Sequence, residues 1–297
     1  MDATHRTDDE QAARWNGPAA NAWVEAQSLV EGVLRPFEDL LVEAMSADRE
    51  GHVLGERDRV LGERDRVLDV GCGTGSTTLA VARRLGAAGH VVGVDISEPM
   101  LTAARARAEQ TDTQASFIHA DAQEYAFEPA TFDAVMSRFG VMFFKDSVRA
   151  FANLRRAAKD GAVLRFIAWR GPAENPFMTT AERAAAPLLP NLPARRPDEP
   201  GQFAFADADR IRRILEEAGW TGIDIRPRDV TCTLPESELI RYFSRFGPLG
   251  LILGEADEQT RARVLETVRA AFDPFVQGAE VRFTAASWLV GARASSA

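Results

Sequence analysis

The 297-residue chain is poor in features that mark several other classes of protein. With only two cysteines it has no disulfide framework, so we expect a reducing, cytoplasmic location. Its 35 basic residues are outnumbered by 44 acidic ones, which argues against a nucleic-acid partner. No apolar run approaches the ~20 residues of a membrane span, and the polar start lacks the apolar core of a signal peptide. These exclusions leave a globular protein, either a monomer or a homodimer.

Three glycines at alternate positions follow a short apolar run. Residues 67–70 predict a buried parallel strand that is interrupted near its carboxyl end by Asp69. Gly71, Gly73 and Gly75 come next, and a helical pattern begins directly after them. A strand, a glycine turn and a helix in this order bring a ligand against bare backbone at the N-terminus of the helix.

The spacing of these glycines distinguishes two kinds of ligand. A dinucleotide fingerprint, G-x-G-x-x-G, would have its third glycine where this chain has Ser76. The run V-L-D-V-G-C-G-T-G instead resembles the first motif of the class I S-adenosylmethionine (SAM)-dependent methyltransferases. The resemblance implies that the loop, Cys72 included, lies against the methionine part of SAM and that Asp69 orders the loop. An NAD-dependent oxidoreductase is an alternative, because it would share the strand, the loop and the helix.

Two further predicted strands also end in acids. Asp95 ends the second strand about 20 residues after the glycines, where a carboxylate can accept hydrogen bonds from both ribose hydroxyls. The following residues are similar to the second motif of the family, which implies that Ile96 and Met100 pack against the adenine. Asp121 ends the third strand, and the resemblance implies that it accepts from the adenine amino group while the Ala122 amide donates to the ring.

Residues 132–140 predict the fourth strand and its exit, which is where methyltransferase chemistries differ. We include Ser137 among the cofactor-binding residues. The sequence after it has neither the Asp/Asn-Pro-Pro-aromatic run of amide-methylating enzymes nor the acids of metal-assisted catechol enzymes, so we expect no metal. His119, Arg138 and Tyr242 are the candidates for catalysis. His119 is two residues before Asp121 and hence on the same side of its strand, although a histidine inside a strand is more often structural.

Large apolar residues follow the ends of the later strands and recur in two helical patterns near the C-terminus. They could be plain core or the wall of a pocket for an apolar or aromatic small molecule. As the wall we select Phe139, Met142, Phe143, Trp169, Phe177, Tyr242 and Phe246. Near the N-terminus, Trp15 and Asn16 are candidates for a lid, and we place Trp15 with the cofactor-binding residues.

These patterns together predict an α/β fold with a doubly wound, seven-stranded sheet, the last strand antiparallel, as the family resemblance implies. Residues 1–52 form an N-terminal helical lid segment and residues 53–297 the SAM-binding domain, with helical additions at about 171–206 and 235–276. Residues 53–59 recur identically at 60–66, which we interpret as a tandem duplication before the first strand.

The resemblance implies methyl transfer from SAM to an apolar or aromatic small molecule by in-line displacement, mainly through positioning of donor and acceptor. The general look of the chain is closest to the quinone- and sterol-type C-methyltransferases. A protein that binds SAM without catalysis is the second alternative, because the motifs in the sequence concern the cofactor.

Overall fold

The computed structural model describes residues 12–13, 15–46, 61–111, 113–192 and 199–295. The first copy of the repeat and the first residue of the second copy lie outside the described residues. Within the described part no helix is both long and apolar enough to cross a membrane. The same residues include no group of three or more histidine, cysteine or acidic side chains that could hold a metal ion.

One mixed sheet forms the centre of the molecule, with the strand order β3-β2-β1-β4-β5-β8-β6. Neighbouring strands from β3 to β5 are parallel, whereas β8 runs antiparallel to both β5 and β6. The predicted doubly wound sheet with an antiparallel last strand is confirmed. A short extra strand, β7, pairs with the first two residues of β8. The strands are β1 Arg66–Val70, β2 His90–Asp95, β3 Ala115–His119, β4 Phe132–Arg138, β5 Ala158–Trp169, β6 Trp220–Pro235, β7 Val276–Gln277 and β8 Glu280–Ala294.

Helices pack on the sheet. We call the edge at which the parallel strands β1 to β5 end its carboxyl edge. The second helix packs against the third helix and against β6, and the fifth and seventh helices pack on each other. Three helices between β6 and β7 form a cap. The helices are α1 Pro18–Glu25, α2 Gln27–Ser46, α3 Ser76–Leu85, α4 Glu98–Thr111, α5 Ser147–Ala157, α6 Pro176–Ala185, α7 Ala208–Glu217, α8 Leu239–Arg245, α9 Gly247–Glu255 and α10 Glu258–Ala271.

The helix α2 belongs to the hydrophobic core. Its apolar side chains recur at helical spacing, and Phe37 and Leu41 are completely buried. The Phe37 ring meets those of Phe139 and Trp169 edge-on, with 5.0 Å between centroids in each case. Residues of the β4 exit and of the β5 end are therefore fixed by a helix that precedes the whole sheet in the sequence.

Asn175 connects the segment after β5 to β8. Its side-chain amide is 1% exposed and donates to the carbonyls of Arg170, Gly171 and Ala286, while its oxygen accepts from the Ala286 N–H at 2.9 Å. One side chain therefore satisfies backbone groups from two parts of the chain that are more than a hundred residues apart.

We expect Asn175→Ala to lower the free energy of unfolding by about 2 kcal/mol, because both backbone groups of Ala286 lose a buried partner. Urea unfolding followed by circular dichroism measures this. Thr179→Ala is the control, since it removes only an exposed hydrogen bond to the Pro176 carbonyl, and its effect should stay within about 0.5 kcal/mol. Equal effects of the two substitutions would contradict the prediction.

Candidate active site

The glycine loop between β1 and α3 has the backbone that its sequence requires. Gly71, Gly73 and Gly75 all have positive φ angles, at 67°, 54° and 80°, a region in which other residues are strained. A Cβ atom at Gly71 would lie 2.6 Å from the Cα of Gly140, so the loop also touches the exit from β4. The turns after β1 and β4 therefore form one surface at the carboxyl edge of the sheet.

Asp95 holds the glycine loop and the start of the next helix together. One carboxylate oxygen accepts from the Gly73 N–H at 2.7 Å and the other from the Ser97 N–H at 2.9 Å. Burial raises the pKa of this carboxyl group, and the two hydrogen bonds oppose that shift. Each oxygen retains a second lone pair, so the carboxylate can still accept from a ligand hydroxyl.

Asp69 lies beneath the loop. It is 1% exposed and accepts a hydrogen bond of 2.6 Å from the Thr78 hydroxyl in the first turn of α3. Burial raises its pKa to about 6, whereas the Thr78 hydrogen bond and the nearby Arg138 guanidinium lower it. The contact is with the helix that follows the loop, so Asp69 fixes the direction in which that helix leaves.

Two residues predicted to bind the cofactor, Ser137 and Cys72, have side chains that are directed into the protein interior. The Ser137 hydroxyl donates to the Val70 carbonyl at 2.7 Å and accepts from the Gly140 and Val141 N–H groups, which uses its full hydrogen-bonding capacity. The Cys72 thiol is buried, which raises its pKa well above the ordinary value. Any role of these residues toward SAM that is still predicted runs through their backbone and not through their side chains.

The segment after β2 is held from two sides. The Ile96 carbonyl accepts from the Asn16 side-chain amide at 2.8 Å and has the His119 ring nitrogen Nε2 at 3.0 Å. Asn16 also accepts from the Glu98 N–H, at the first residue of α4. The N-terminal segment therefore caps α4, a function that the sequence suggested only as a lid.

The remaining adenine candidates also lie at this edge. Met100 is buried, and its sulfur would be 3.8 Å from a Cβ atom at Gly73. Asp121 accepts from the Gln123 N–H at 2.8 Å, and the Ala122 carbonyl accepts from the Asn153 amide. The turn after β3 is therefore rigidly held, next to the turn after β2.

The three candidates for catalysis belong to different parts of the molecule. His119 ends the edge strand β3, is about half-exposed and has Nδ1 3.3 Å from a Glu98 carboxylate oxygen. Arg138 ends β4 and donates to the Leu34 carbonyl of α2. Three acids lie near it: Glu38, Asp69 and Glu31. Tyr242 is on α8 in the cap, where burial raises the pKa of its hydroxyl to about 12. Their predicted roles stay predictions.

The predicted acceptor wall divides into a buried and an accessible part. Phe139 has a positive φ of 66° and stacks on Trp169 with 3.9 Å between ring centroids. Met142 and Phe177 are only 1% and 3% exposed, and Phe177 stacks on Phe283 at 3.7 Å. These four residues support the wall from behind. The half-buried residues of the set are Phe143, Tyr242 and Phe246.

The half-buried aromatic residues continue into the N-terminal segment. Trp15 meets Phe143 at 5.3 Å and Trp23 at 6.2 Å between ring centroids. Trp23 in turn meets Phe246 at 5.2 Å, and Phe246 meets Tyr242 at 5.6 Å. We call these five residues the aromatic row; it runs from the β4 exit to the cap.

Residues 67–161, which run from β1 into β5, match a family model described as a methyltransferase domain. The demethylmenaquinone methyltransferase of Staphylococcus haemolyticus is 29% identical over 167 residues, which are 54% of this chain and 70% of that protein. The matches identify a methyltransferase domain at residues 67–161, and the chain is similar in sequence and fold to the class I SAM-dependent methyltransferases. This confirms the family, the enzyme class and the cofactor expected from the glycine loop, and it leaves the NAD-dependent alternative without support.

Solved structures show the same fold in more distant proteins. The YcgJ protein of Bacillus subtilis has a TM-score of 0.55 at 15% identity and covers 88% of this methyltransferase and 98% of its own chain. Phosphoethanolamine N-methyltransferase 2 of Haemonchus contortus, solved with S-adenosylhomocysteine, has a TM-score of 0.50 at 17% identity, covering 88% of this chain and 52% of its own.

The residues around the glycine loop of this methyltransferase fit SAM. The Asp95 carboxylate has acceptor capacity for ribose hydroxyls. The hydroxyls of Thr77 and Ser97 are buried and have no partner among the described residues; one lies in the first turn of α3 and the other directly before α4. Polar atoms of this kind normally find a partner, so a polar ligand at the loop is consistent with them.

Two acids of α2 that lie near the loop were not selected as site residues from the sequence. Glu31 accepts from the Thr74 hydroxyl at 3.0 Å, and Glu38, which is 8% exposed, accepts from the Ser76 hydroxyl. They are seven residues apart and hence on one face of the helix, beside its apolar stripe. An acid at the border of a buried helix face was the feature that could have revealed them.

Proposed function

We propose that this methyltransferase moves the methyl group of SAM to an apolar or aromatic small molecule that lies against the aromatic row. When bound, SAM supplies a sulfonium methyl group that an acceptor nucleophile displaces in line. The aromatic row carries the proposal. It combines large apolar faces with partial exposure, and it starts at the β4 exit, which touches the glycine loop.

The polar groups of the row itself are two indole N–H groups, which only donate, and the hydroxyl of Tyr242. None of them is suited to be a general base near neutral pH, which favours a role in positioning. The hydroxyl of Tyr242 is a poor proton acceptor or donor near neutral pH because burial raises its pKa to about 12. The residues of the row would therefore exclude water and hold the acceptor in line, a contribution that can reach ~7–11 kcal/mol in favourable cases. The demethylmenaquinone methyltransferase among the relatives supports a quinol-like acceptor as the first to test.

Transfer of labelled methyl from SAM tests the proposal. We expect label in a short-chain naphthoquinol that lacks the ring methyl, or in another apolar phenol or enol, and none in polar amines. Phe246→Ala should raise the acceptor KM by roughly tenfold, because a buried aromatic contact is worth about 1 kcal/mol or more, and it should leave the SAM Kd unchanged. Ile240→Ala is the control, since Ile240 is 45% exposed on α8, the helix that ends directly before Phe246.

Two outcomes would contradict this function. Label found only in polar amines would show that the row does not select the acceptor. Tight SAM binding without transfer to any acceptor of the panel would favour the alternative of a SAM-binding protein without catalysis.

A further inference from the structure

Thr74, at the centre of the glycine loop, is held by two helices that are far apart in the sequence. Its hydroxyl donates to Glu31 of α2 at 3.0 Å, and its carbonyl accepts from Arg107 of α4 at 2.7 Å. Arg107 also forms a two-point ion pair with Glu31, with distances of 2.6 and 3.1 Å. We call this arrangement of three residues the Thr74 clamp.

The clamp acts on a carbonyl group that lies between two glycines. Thr74 lies between Gly73 and Gly75, both with positive φ, and glycine has the greatest conformational freedom of any residue in a flexible chain. The Gly73 N–H is fixed by Asp95, and the N–H of the peptide that joins Thr74 to Gly75 donates to the Cys72 carbonyl at 3.0 Å. The carbonyl of that peptide is held by Arg107. Arg107 supplies that contact with a charged donor, which makes a stronger hydrogen bond than a neutral one.

Glu31 makes Arg107 suitable for this contact. The Glu31 carboxylate is also bonded by the Gln27 side chain at 3.0 Å, so its own position is fixed from α2. The side chains of the pair are 23% and 29% exposed, a degree of shielding at which an ion pair keeps more of its strength than at the open surface. A guanidinium group with both arms on one carboxylate has little freedom left.

We propose that Arg107, oriented by Glu31, is a positioning residue for SAM: it holds the Thr74 carbonyl so that the glycine loop has its binding conformation before the cofactor arrives. The inference rests on the SAM site described above. It also makes α2 part of the cofactor site, because loss of the α2 acid would release the α4 arginine. Preorganisation of this kind strengthens binding by lowering the entropy lost when the loop is ordered.

Calorimetric titration of SAM into the wild type, Arg107→Met and Arg107→Lys tests the clamp, together with hydrogen exchange of residues 71–80 without SAM. We expect Arg107→Met to weaken SAM binding about tenfold and to speed exchange in the loop, with Arg107→Lys intermediate because lysine donates as a single point. Arg105→Met is the control. Arg105 lies on the same helix and pairs with Glu98 at 2.6 Å, so the SAM Kd should not change.

The exchanged pair Glu31→Arg with Arg107→Glu separates positioning from stability. It restores an ion pair between α2 and α4, so the melting temperature should recover. A glutamate at position 107 cannot donate to the Thr74 carbonyl, so the SAM affinity should stay low. Recovery of both quantities would overturn the proposal and make the ion pair merely structural.

Unchanged SAM affinity in Arg107→Met, at any melting temperature, would also overturn the proposal. The failure of the cofactor site itself has a different signature, because then the wild type and the Arg105 control would bind SAM no better than the clamp variants. Should Arg107→Met fail to fold, the comparison of Arg107→Lys with the wild type decides, since it keeps the charge and changes only the geometry of donation.

Discussion

Asp95→Ala should weaken SAM binding by about 100-fold or more, the largest effect that we expect on the cofactor. Two charge-assisted hydrogen bonds to ribose hydroxyls, each worth roughly 1.5 kcal/mol or more, would be lost. The substitution also removes the acceptor of the Gly73 N–H, so the loop would lose its own support. Calorimetric titration with SAM, S-adenosylhomocysteine and NAD measures this, and we expect NAD to bind neither protein.

Asp133→Ala is the matched control for this experiment. Asp133 likewise accepts from a backbone N–H, that of Arg66, and pairs with Lys159 at 2.8 Å. It lies near the start of β4, at the amino edge of the sheet, so its loss should leave the SAM Kd unchanged. If Asp95→Ala bound SAM as tightly as the wild type, the ribose would have to bind elsewhere, and the predicted cofactor site would be wrong.

The glycine loop and the strands around it could be predicted from sequence because local rules determine them. Apolar runs between turn residues gave the strands, and the alternating glycines gave a backbone of positive φ angles that only glycine adopts easily. The antiparallel direction of the last strand followed from the family resemblance. The bounds of α3, Ser76–Leu85, agree with the pattern read from the sequence.

The acceptor wall was predicted less well, because burial within a pocket and burial within a core have the same sequence pattern. Met142 and Phe177 are apolar residues after a strand and near a helix start, as pocket residues would be. In the structure, Phe177 is covered by Phe283, which is more than a hundred residues later in the chain. Contacts at that separation depend on the tertiary fold, and no local pattern encodes them.

The contacts of the N-terminal segment also could not be predicted from local sequence patterns. Trp15 and Asn16 were singled out as lid candidates, and Trp15 also as a cofactor-binding residue. The structure gives Asn16 two definite partners after β2. Glu25 of the same segment accepts from Arg241 through its carbonyl and pairs with Arg245 through its side chain. The segment therefore connects the edge of the cofactor site with the cap, a role that requires knowledge of both ends.

The buried carboxyl group of Asp69 predicts a pH dependence of stability. Its pKa is about 6 in the folded protein against an ordinary value of 3.8. Between these values the unfolded chain releases the proton while the folded protein retains it. This contribution to stability is therefore fully present below the ordinary pKa, and it is lost as the pH rises through 6.

We expect Asp69→Asn to remove this dependence. The free energy of unfolding of the variant, measured relative to that of the wild type, should rise by about 2 kcal/mol between pH 4 and pH 7. Urea unfolding across this pH range measures the difference, and subtraction cancels the other titrating groups. The SAM affinity should fall by several-fold, because the amide no longer balances the charge of Arg138 beneath the loop.

A second variant identifies the responsible group. Thr78→Val removes the hydroxyl that donates to Asp69 at 2.6 Å, and that hydrogen bond stabilises the ionised carboxylate. The pH at which the Asp69 contribution is lost should therefore move above 6 in Thr78→Val, whereas in Asp69→Asn there is no such midpoint. A stability difference between Asp69→Asn and the wild type that is constant with pH would mean that another group holds the proton. The same carboxylate fixes the helix that begins at the glycine loop, so its unfavourable burial serves the proposed cofactor site at the expense of stability.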